Sequence, residues 1–229
     1  MDDMRCNDTP YIELQDVCYR YPGGSFSVEN ISLAFDVSRI TAIVGQNGSG
    51  KTTLGKLMAG ILKPQSGEIL LCGADTKKMA LHDFGKKIGY LFQNPERQIF
   101  AQTVEEEITF SQELLGVPPE KAKEKCDTLL KAFHLEHLRD ALPLKLSRGE
   151  KQRLVIAAIF TNEPGFLLLD EPSTALDRER KEVLYEMLRD LREKGIGITV
   201  ITHDDGFVER YAQRVITMEE GRVIRDECT

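Results

Sequence analysis

The sequence has no CxxC pair, no long Lys/Arg stripe and no apolar run near the ~20 residues that a membrane-spanning helix requires. Its five cysteines, Cys6, Cys18, Cys72, Cys126 and Cys228, are scattered and odd in number. That argues against a disulfide framework or a zinc site and leaves reduced thiols as the expectation. A net charge of -7 with a pI near 5.3 gives little electrostatic support for a sequence-independent grip on nucleic acid. The longest apolar stretches, such as LVIAAIF from Leu154 to Phe160, fall far short of a bilayer span. The opening segment MDDMRCNDTP lacks the basic and apolar regions of a secretion signal, so a frayed cytoplasmic terminus is expected there. Internal repeats and low-complexity tracts are also missing.

What is present suffices for one sizeable domain, or for a core with an inserted subdomain: 229 residues, of which 41% are hydrophobic. YIELQDVCY, FSVENISLAF and GEILLCG alternate apolar and polar residues, as half-buried antiparallel strands do. ITAIVG, FLLLDE and GITVITH are instead short continuous apolar runs followed at once by polar residues. That is the pattern of buried parallel strands whose ends converge on a site. From about Asn94 to Pro164 the pattern turns helical, with Cys126, Leu129, Leu130, Phe133 and Leu138 at helical spacings. Arg178 to Lys194 places Val183, Met187, Leu188 and Leu191 on one helical face, with Gly195 where a C-terminal cap is wanted. VITMEEGRVIR reads as a terminal hairpin.

Between ITAIV and the helix-forming KTTLGKLMAGIL lies GQNGSGKTT, which fits G-x-x-x-x-G-K-[ST] in the strand-then-helix context that the pattern demands. Gly48 and Gly50 let the backbone curl so that successive amides point at an anion, and the helix N-terminus adds partial positive charge. Gly45, Asn47, Gly48, Ser49, Gly50, Lys51, Thr52 and Thr53 form the expected nucleotide cradle. Lys51 supplies a full charge to the β and γ phosphates, and Thr52 offers its hydroxyl to Mg²⁺.

FLLLDE ends a buried strand in two carboxylates. Asp170 can join the Mg²⁺ shell, and Glu171 can polarise a water for in-line attack on the γ phosphate. Alone, such a pair also suits a solvated loop or a helix cap. His203 and Gln93 each follow another apolar run, where ligands collect in open α/β sheets. His203 is expected at the γ phosphate, whereas Gln93 by itself reads as a turn residue.

In this order the pieces resemble an ABC-type ATPase subunit. GQNGSGKTT stands as the phosphate loop, Gln93 as the Q-loop, LSRGE as the signature, FLLLDEP as the magnesium strand, STALD as the D-loop and His203 as the switch histidine. The resemblance spans roughly Tyr11 to Ile224. It implies an α/β fold: a RecA-like P-loop NTPase core with a mainly parallel sheet, an antiparallel β flank and an inserted α-helical subdomain. The core would take residues 1–93 and 165–229, and the subdomain 94–164. It further implies ATP and Mg²⁺ as ligands, Gln93 at the metal and among the catalytic residues, and a head-to-tail dimer in which Ser147, Gly149 and Asp177 meet the partner's ATP. An aromatic residue would stack on adenine; Tyr21 matches best and Tyr19 is the alternate.

The signature departs from the usual LSGGQ, with Arg148 for the first glycine and Glu150 for the glutamine. Arg148 matters only if that position needs a positive φ or a bare backbone. Glu150 sets a carboxylate near a nucleotide unless it turns elsewhere. The two changes slightly favour a dissimilar ATPase partner over a second copy.

FQNPERQIFAQTVEEEITF looks like the Q-loop region of energy-coupling factor transporters. In that family two ATPases drive an integral membrane subunit and a separate substrate-binding membrane protein, for vitamins or transition-metal ions. The implied location is the cytoplasmic face of the membrane. Arg97, Gln98, Ile99 and Phe100 are candidates for the groove that receives the membrane subunit, although Ile99 and Phe100 also fit a subdomain core. The alternatives are a soluble ABC ATPase in cofactor assembly, translation or DNA maintenance, and a small-molecule kinase, which leaves LSRGE and STALD unexplained.

Overall fold

The computed structural model describes residues 9–24, 28–174 and 176–229. Most of the terminus expected to fray therefore lies outside the described residues. In chain order the elements begin with strands β1 (Ile12–Tyr19), β2 (Val28–Phe35) and β3 (Ile40–Val44), helix α1 (Lys51–Met58), and strands β4 (Ser66–Leu71) and β5 (Ala74–Asp75). Helix α2 (Leu81–Lys87) and strand β6 (Ile88–Leu91) follow, then helices α3 (Val104–Leu114), α4 (Pro119–Ala132) and α5 (Arg148–Phe160). The chain closes with β7 (Phe166–Asp170), α6 (Arg178–Glu193), β8 (Gly197–Ile201), α7 (Asp205–Tyr211), β9 (Arg214–Glu219) and β10 (Arg222–Cys228).

The alternating segments form a four-stranded antiparallel sheet in the order β2-β1-β4-β5. The continuous apolar runs enter a six-stranded sheet ordered β10-β9-β3-β8-β7-β6, in which every neighbouring pair is parallel except the β9–β10 hairpin. Helices α3, α4 and α5 all fall between β6 and β7. This is the RecA-like core, antiparallel flank and helical insertion of the ABC-ATPase fold.

Strands β3, β7 and β8 are buried along almost their whole length, which is why their sequences run apolar without alternation. Their side chains still divide by period two. Ile43, Phe166, Leu168 and Ile201 face the core shared with the antiparallel sheet and α1. Ala42, Leu167, Leu169, Ile198 and Val200 face the core built with α3 to α6. Ile43 lies opposite Ile201, and Ile201 opposite Asp170. The carboxyl ends of the three strands are therefore nearly level, and the residues that follow each emerge together.

Three details differ from expectation. VITMEEGRVIR is a hairpin, turned at Glu220 and Gly221 with positive φ of 42° and 76°. Yet β9 also pairs parallel with β3, which makes it an integral strand of the core sheet. On α6 the buried residues are Leu184, Tyr185, Leu188 and Leu191, whereas Val183 is exposed. Tyr185 packs at a tilt against Phe207 of α7, and that contact rotates the buried stripe by about one position. Finally, Cys18, Cys126 and Cys228 are free, but Cys72 is disulfide-bonded, so the expectation of reduced thiols fails there. Spacing along a chain does not record which thiols folding brings together. No helix among the described residues is long and apolar enough to cross a membrane.

Candidate functional site

The turn between β3 and α1 requires glycine at several points. Gly48 and Gly50 have φ of 84° and 99°, and Gly50 is the left-handed N-cap of α1. At Gly45 (φ 144°) an added Cβ would lie 2.1 Å from the Met218 carbonyl oxygen of β9, so only a bare backbone fits. The Lys51 ammonium folds back over this turn and donates to the carbonyl oxygens of Gly45 (2.7 Å) and Gln46 (2.8 Å). Burial holds it below its ordinary pKa, against the opposing pull of Glu171 and Asp170. A partly desolvated cation, hydrogen-bonded to neutral carbonyls, is a ready partner for a phosphate.

A cleft of about 470 Å³ opens over the turn, lined by Tyr21, Asn47, Gly48, Gly50, Lys51, Thr52, Thr53, Gln93, Asp170, Glu171, Ile201 and His203. Segments far apart in sequence thus meet at one sheet end. Tyr21 lines the cleft; Tyr19 sits edge-on to it at 5.0 Å and packs toward the core below. Gly45 and Ser49 lie outside the lining and support the turn. The Ser49 amide donates to the Gln46 carbonyl, and the Ser49 carbonyl accepts from Gly221.

Asp170 is buried, and burial raises its carboxyl pKa against hydrogen bonds from Thr52 and Tyr90. Tyr90 reaches Oδ2 at 3.4 Å, while Oδ1 is buried with no hydrogen-bond partner among the described residues. An orphaned carboxylate oxygen beside a threonine hydroxyl fits a divalent cation whose remaining ligands are water and phosphate.

Glu171 adopts a positive φ of 52°, uncommon for a residue with a side chain. Its amide bonds to the Ile201 carbonyl at 2.8 Å, which fixes the turn after β7 to the end of β8. Its carboxylate accepts from Thr174 at 3.3 Å and pairs with His203 Nε2 at 3.1 Å. His203 itself remains half exposed toward the cleft.

Ser147, Gly149 and Asp177 do not line the cleft. Ser147 is the exposed N-cap of α5, Asp177 the exposed N-cap of α6, and Gly149 packs between them, with Arg180 and Leu176 next to where a Cβ would stand. Glu150 turns back to its own helix: its Oε2 accepts from the Ser147 amide at 2.8 Å, completing a capping box. Arg148 is the first residue of α5 and is not among those with positive φ. Neither departure from the usual signature distorts this helix start.

The loop after Gln93 divides its candidates. Gln98 bridges the end of β6, accepting from Phe92 and donating to Tyr90, and Ile99 packs partly into the core. Arg97 and Phe100 are exposed. Phe100 meets Phe110 edge-on at 4.4 Å, and Leu114 and Leu115 are also exposed nearby on the end of α3. Ile201, which lines the cleft, and Tyr90, a buried residue whose hydroxyl bonds to Asp170, were not foreseen from sequence. Both sit inside apolar strand runs, and nothing local distinguishes them from core.

A family model described as ABC transporter matches residues 28–174. A provisionally named ABC transporter ATP-binding protein of Methanosarcina acetivorans is 40% identical over 223 residues, or 97% of this chain. This chain spans only 36% of that relative's length. The energy-coupling factor transporter ATP-binding protein EcfA of Methanocaldococcus jannaschii is 36% identical over 94% of this chain and 78% of its own length. Among solved structures, CbiO1 of Clostridium perfringens, described as part of the CbiONQ complex, superposes with a TM-score of 0.88 at 32% identity. The match covers 96% of this chain and 89% of CbiO1. A dimeric ATP-binding cassette holding ADP and Pi gives a TM-score of 0.84 at 28% identity, over 95% of this chain and 98% of its own.

Proposed function

The chain belongs to the ABC transporter family, and on that premise we propose that it is an ATP-hydrolysing subunit that drives an importer of the energy-coupling factor class. The observation that carries the ATPase reading is the meeting of Lys51, the partnerless Asp170 oxygen and the Glu171–His203 pair in one cleft. Amides of the Gly45–Thr53 turn and the Lys51 ammonium would bind the phosphates, with adenine on the Tyr21 ring. Glu171 would orient a water for attack on the γ phosphate and accept its proton as the bond to ADP breaks, releasing ADP and phosphate, while His203 holds the oxygens of the γ-phosphoryl group. Asp170, Thr52 and Gln93 are the residues that would hold Mg²⁺, whose charge would offset that of the phosphates.

Ser147 and Asp177 are exposed and, with the buried Gly149 beside them in the chain fold, lie away from this chain's own cleft, which supports the assignment of all three to the nucleotide of a second ATPase subunit. With Glu150 engaged in its capping box, the signature gives no structural reason to exclude a second copy of this chain as that subunit. The exposed Phe100, Phe110, Leu114 and Leu115 support docking of an integral membrane subunit on this side of α3. The likeness to EcfA and CbiO1 favours the energy-coupling factor class, with a substrate-binding membrane protein as the third component and a vitamin or transition-metal ion as cargo. We assign the helical subdomain to about residues 94–164 and the protein to the cytoplasmic membrane face.

The test is to purify the tagged protein from detergent-solubilised membranes and identify its companions by mass spectrometry. Recovery with an integral membrane subunit is expected. A protein found wholly soluble at native levels of all subunits would replace the importer with a soluble ABC ATPase.

A further inference from the structure

His203 is held in position largely by the residues around it. Its ring is 47% exposed, with Glu171 at 3.1 Å. On its N-terminal side, the buried Thr202 donates its amide to the Ile43 carbonyl at 3.1 Å, and its hydroxyl accepts from the Asp204 amide at 3.0 Å. On its C-terminal side stands Asp204, whose carboxylate joins two helices. Oδ1 accepts from the Phe207 amide at 3.1 Å and caps α7. Oδ2 accepts from both Lys181 Nζ and the Tyr185 hydroxyl, the latter at 2.9 Å. Burial acts to raise the Asp204 carboxyl pKa, but the bonds from Lys181 and Tyr185 outweigh it and leave the group below its usual range.

Lys181 and Tyr185 are one helical turn apart on α6, and Lys181 is one turn from Asp177, the N-cap of the same helix. Arg180, between them, pairs with Asp177 and lies against Gly149. The start of α6 thus carries Asp177 and packs against Gly149 of α5, both assigned above to a second subunit's nucleotide, while Lys181 and Tyr185 farther along hold the residue next to His203.

We infer that Lys181 is a positioning residue for hydrolysis: through Asp204 it sets where His203 stands relative to Glu171, so that His203 is in place only when α6 is. This rests on the reading of His203 as a group that touches the γ phosphate. α6 and α7 share a second tie, the exposed Arg210–Glu182 pair, which bypasses Asp204 and serves as an internal control.

The experiment compares Lys181→Met, Glu182→Gln, His203→Ala and the Lys181→Met/His203→Ala double variant, each as the full chain isolated with its partner subunits. ATP affinity, kcat and thermal midpoint are measured for each. Lys181→Met is expected to lower kcat roughly ten- to hundredfold with ATP affinity unchanged, as misplacement of a reacting group does. Glu182→Gln should lower the thermal midpoint at most and leave kcat alone. In the His203→Ala background, Lys181→Met should add nothing, because both changes act on one contact. Equal kcat losses in Lys181→Met and Glu182→Gln would reduce Lys181 to a structural tie and overturn the inference. So would an unchanged kcat in Lys181→Met, or a further loss in the double variant. A His203→Ala protein with wild-type kcat would instead remove His203 from hydrolysis and overturn both readings, an outcome distinct from the failure of Lys181 alone.

Discussion

Nε2 of His203 stands 3.1 Å from Oε1 of Glu171, although the two residues follow different strands. Because β7 and β8 run parallel with Asp170 opposite Ile201, the first free residues after each strand are neighbours. A carboxylate and an imidazole held this close can share one water and one phosphoryl oxygen, and the first prediction follows from that.

Glu171→Gln should keep ATP binding and slow hydrolysis roughly 10²- to 10⁴-fold, the contribution of a general base. Single-turnover hydrolysis alongside equilibrium nucleotide binding measures both effects. Unchanged turnover would take Glu171 out of that role.

Lys51→Ala should weaken ATP binding itself, by roughly ten- to hundredfold, since charge-assisted hydrogen bonds to phosphate are lost. Calorimetric titration with ATP is the direct measurement. Loss of the cation also removes the attraction that Asp170 and Glu171 exert on it, so the two carboxylates would face the phosphates uncompensated.

Removal of Mg²⁺ with EDTA should abolish hydrolysis, and Asp170→Asn should raise the Mg²⁺ concentration needed for half-maximal rate. The orphaned Oδ1 of Asp170 motivates this expectation. If Asp170→Asn showed the wild-type Mg²⁺ dependence, the orphaned oxygen would need another explanation.

Glu150 acts on stability through the α5 cap. Hydrogen bonding to Ser147 outweighs its burial and holds its carboxyl below the ordinary range. A depressed carboxyl stabilises the fold above its unfolded pKa, near ~4.3, and loses that contribution as pH falls through the folded value. Glu150→Ala should therefore cost about 0.5–1 kcal/mol near neutral pH, and the difference from wild type should shrink in acid. Glu150→Gln, which keeps an acceptor at the same place, should cost less. Chemical denaturation at several pH values compares the three.

Phe100→Asp should leave ATP hydrolysis by the isolated chain unchanged and abolish copurification with the membrane subunit. Phe100 lies open against Phe110, away from the cleft residues. Retained copurification would move the docking surface elsewhere.

The cradle was readable because its chemistry is local. Gly48 and Gly50 take the positive φ that their residue type permits, and Lys51 follows directly on the curled turn. The parallel strands were readable for a related reason: a strand buried on both faces must be apolar throughout, and ITAIV, FLLLD and GITVI are. The S-x-x-E spacing of Ser147 and Glu150 is equally local, but the structure is what shows its capping box, in which Glu150 turns back onto its own helix.

Other features depended on which distant segments pack together. Tyr90 reaches Asp170 only because β6 lies beside β7, and at Gly45 the passage of β9 leaves no room for a Cβ, in addition to the positive φ that already favours glycine. Gln98 looked available for a partner until its amide was found bridging Tyr90 and Phe92. Lys181 and Asp204 carry no motif of their own, and it is the packing of α6 against the start of α7 that brings them together beside His203. Backbone handedness, periodicity and capping act between adjacent residues, so the one-dimensional order of this chain specifies its strands, its turn and its chemical groups. Neighbours across the sheet and between helices are selected by the burial of segments distant in sequence, and no local pattern encodes that choice.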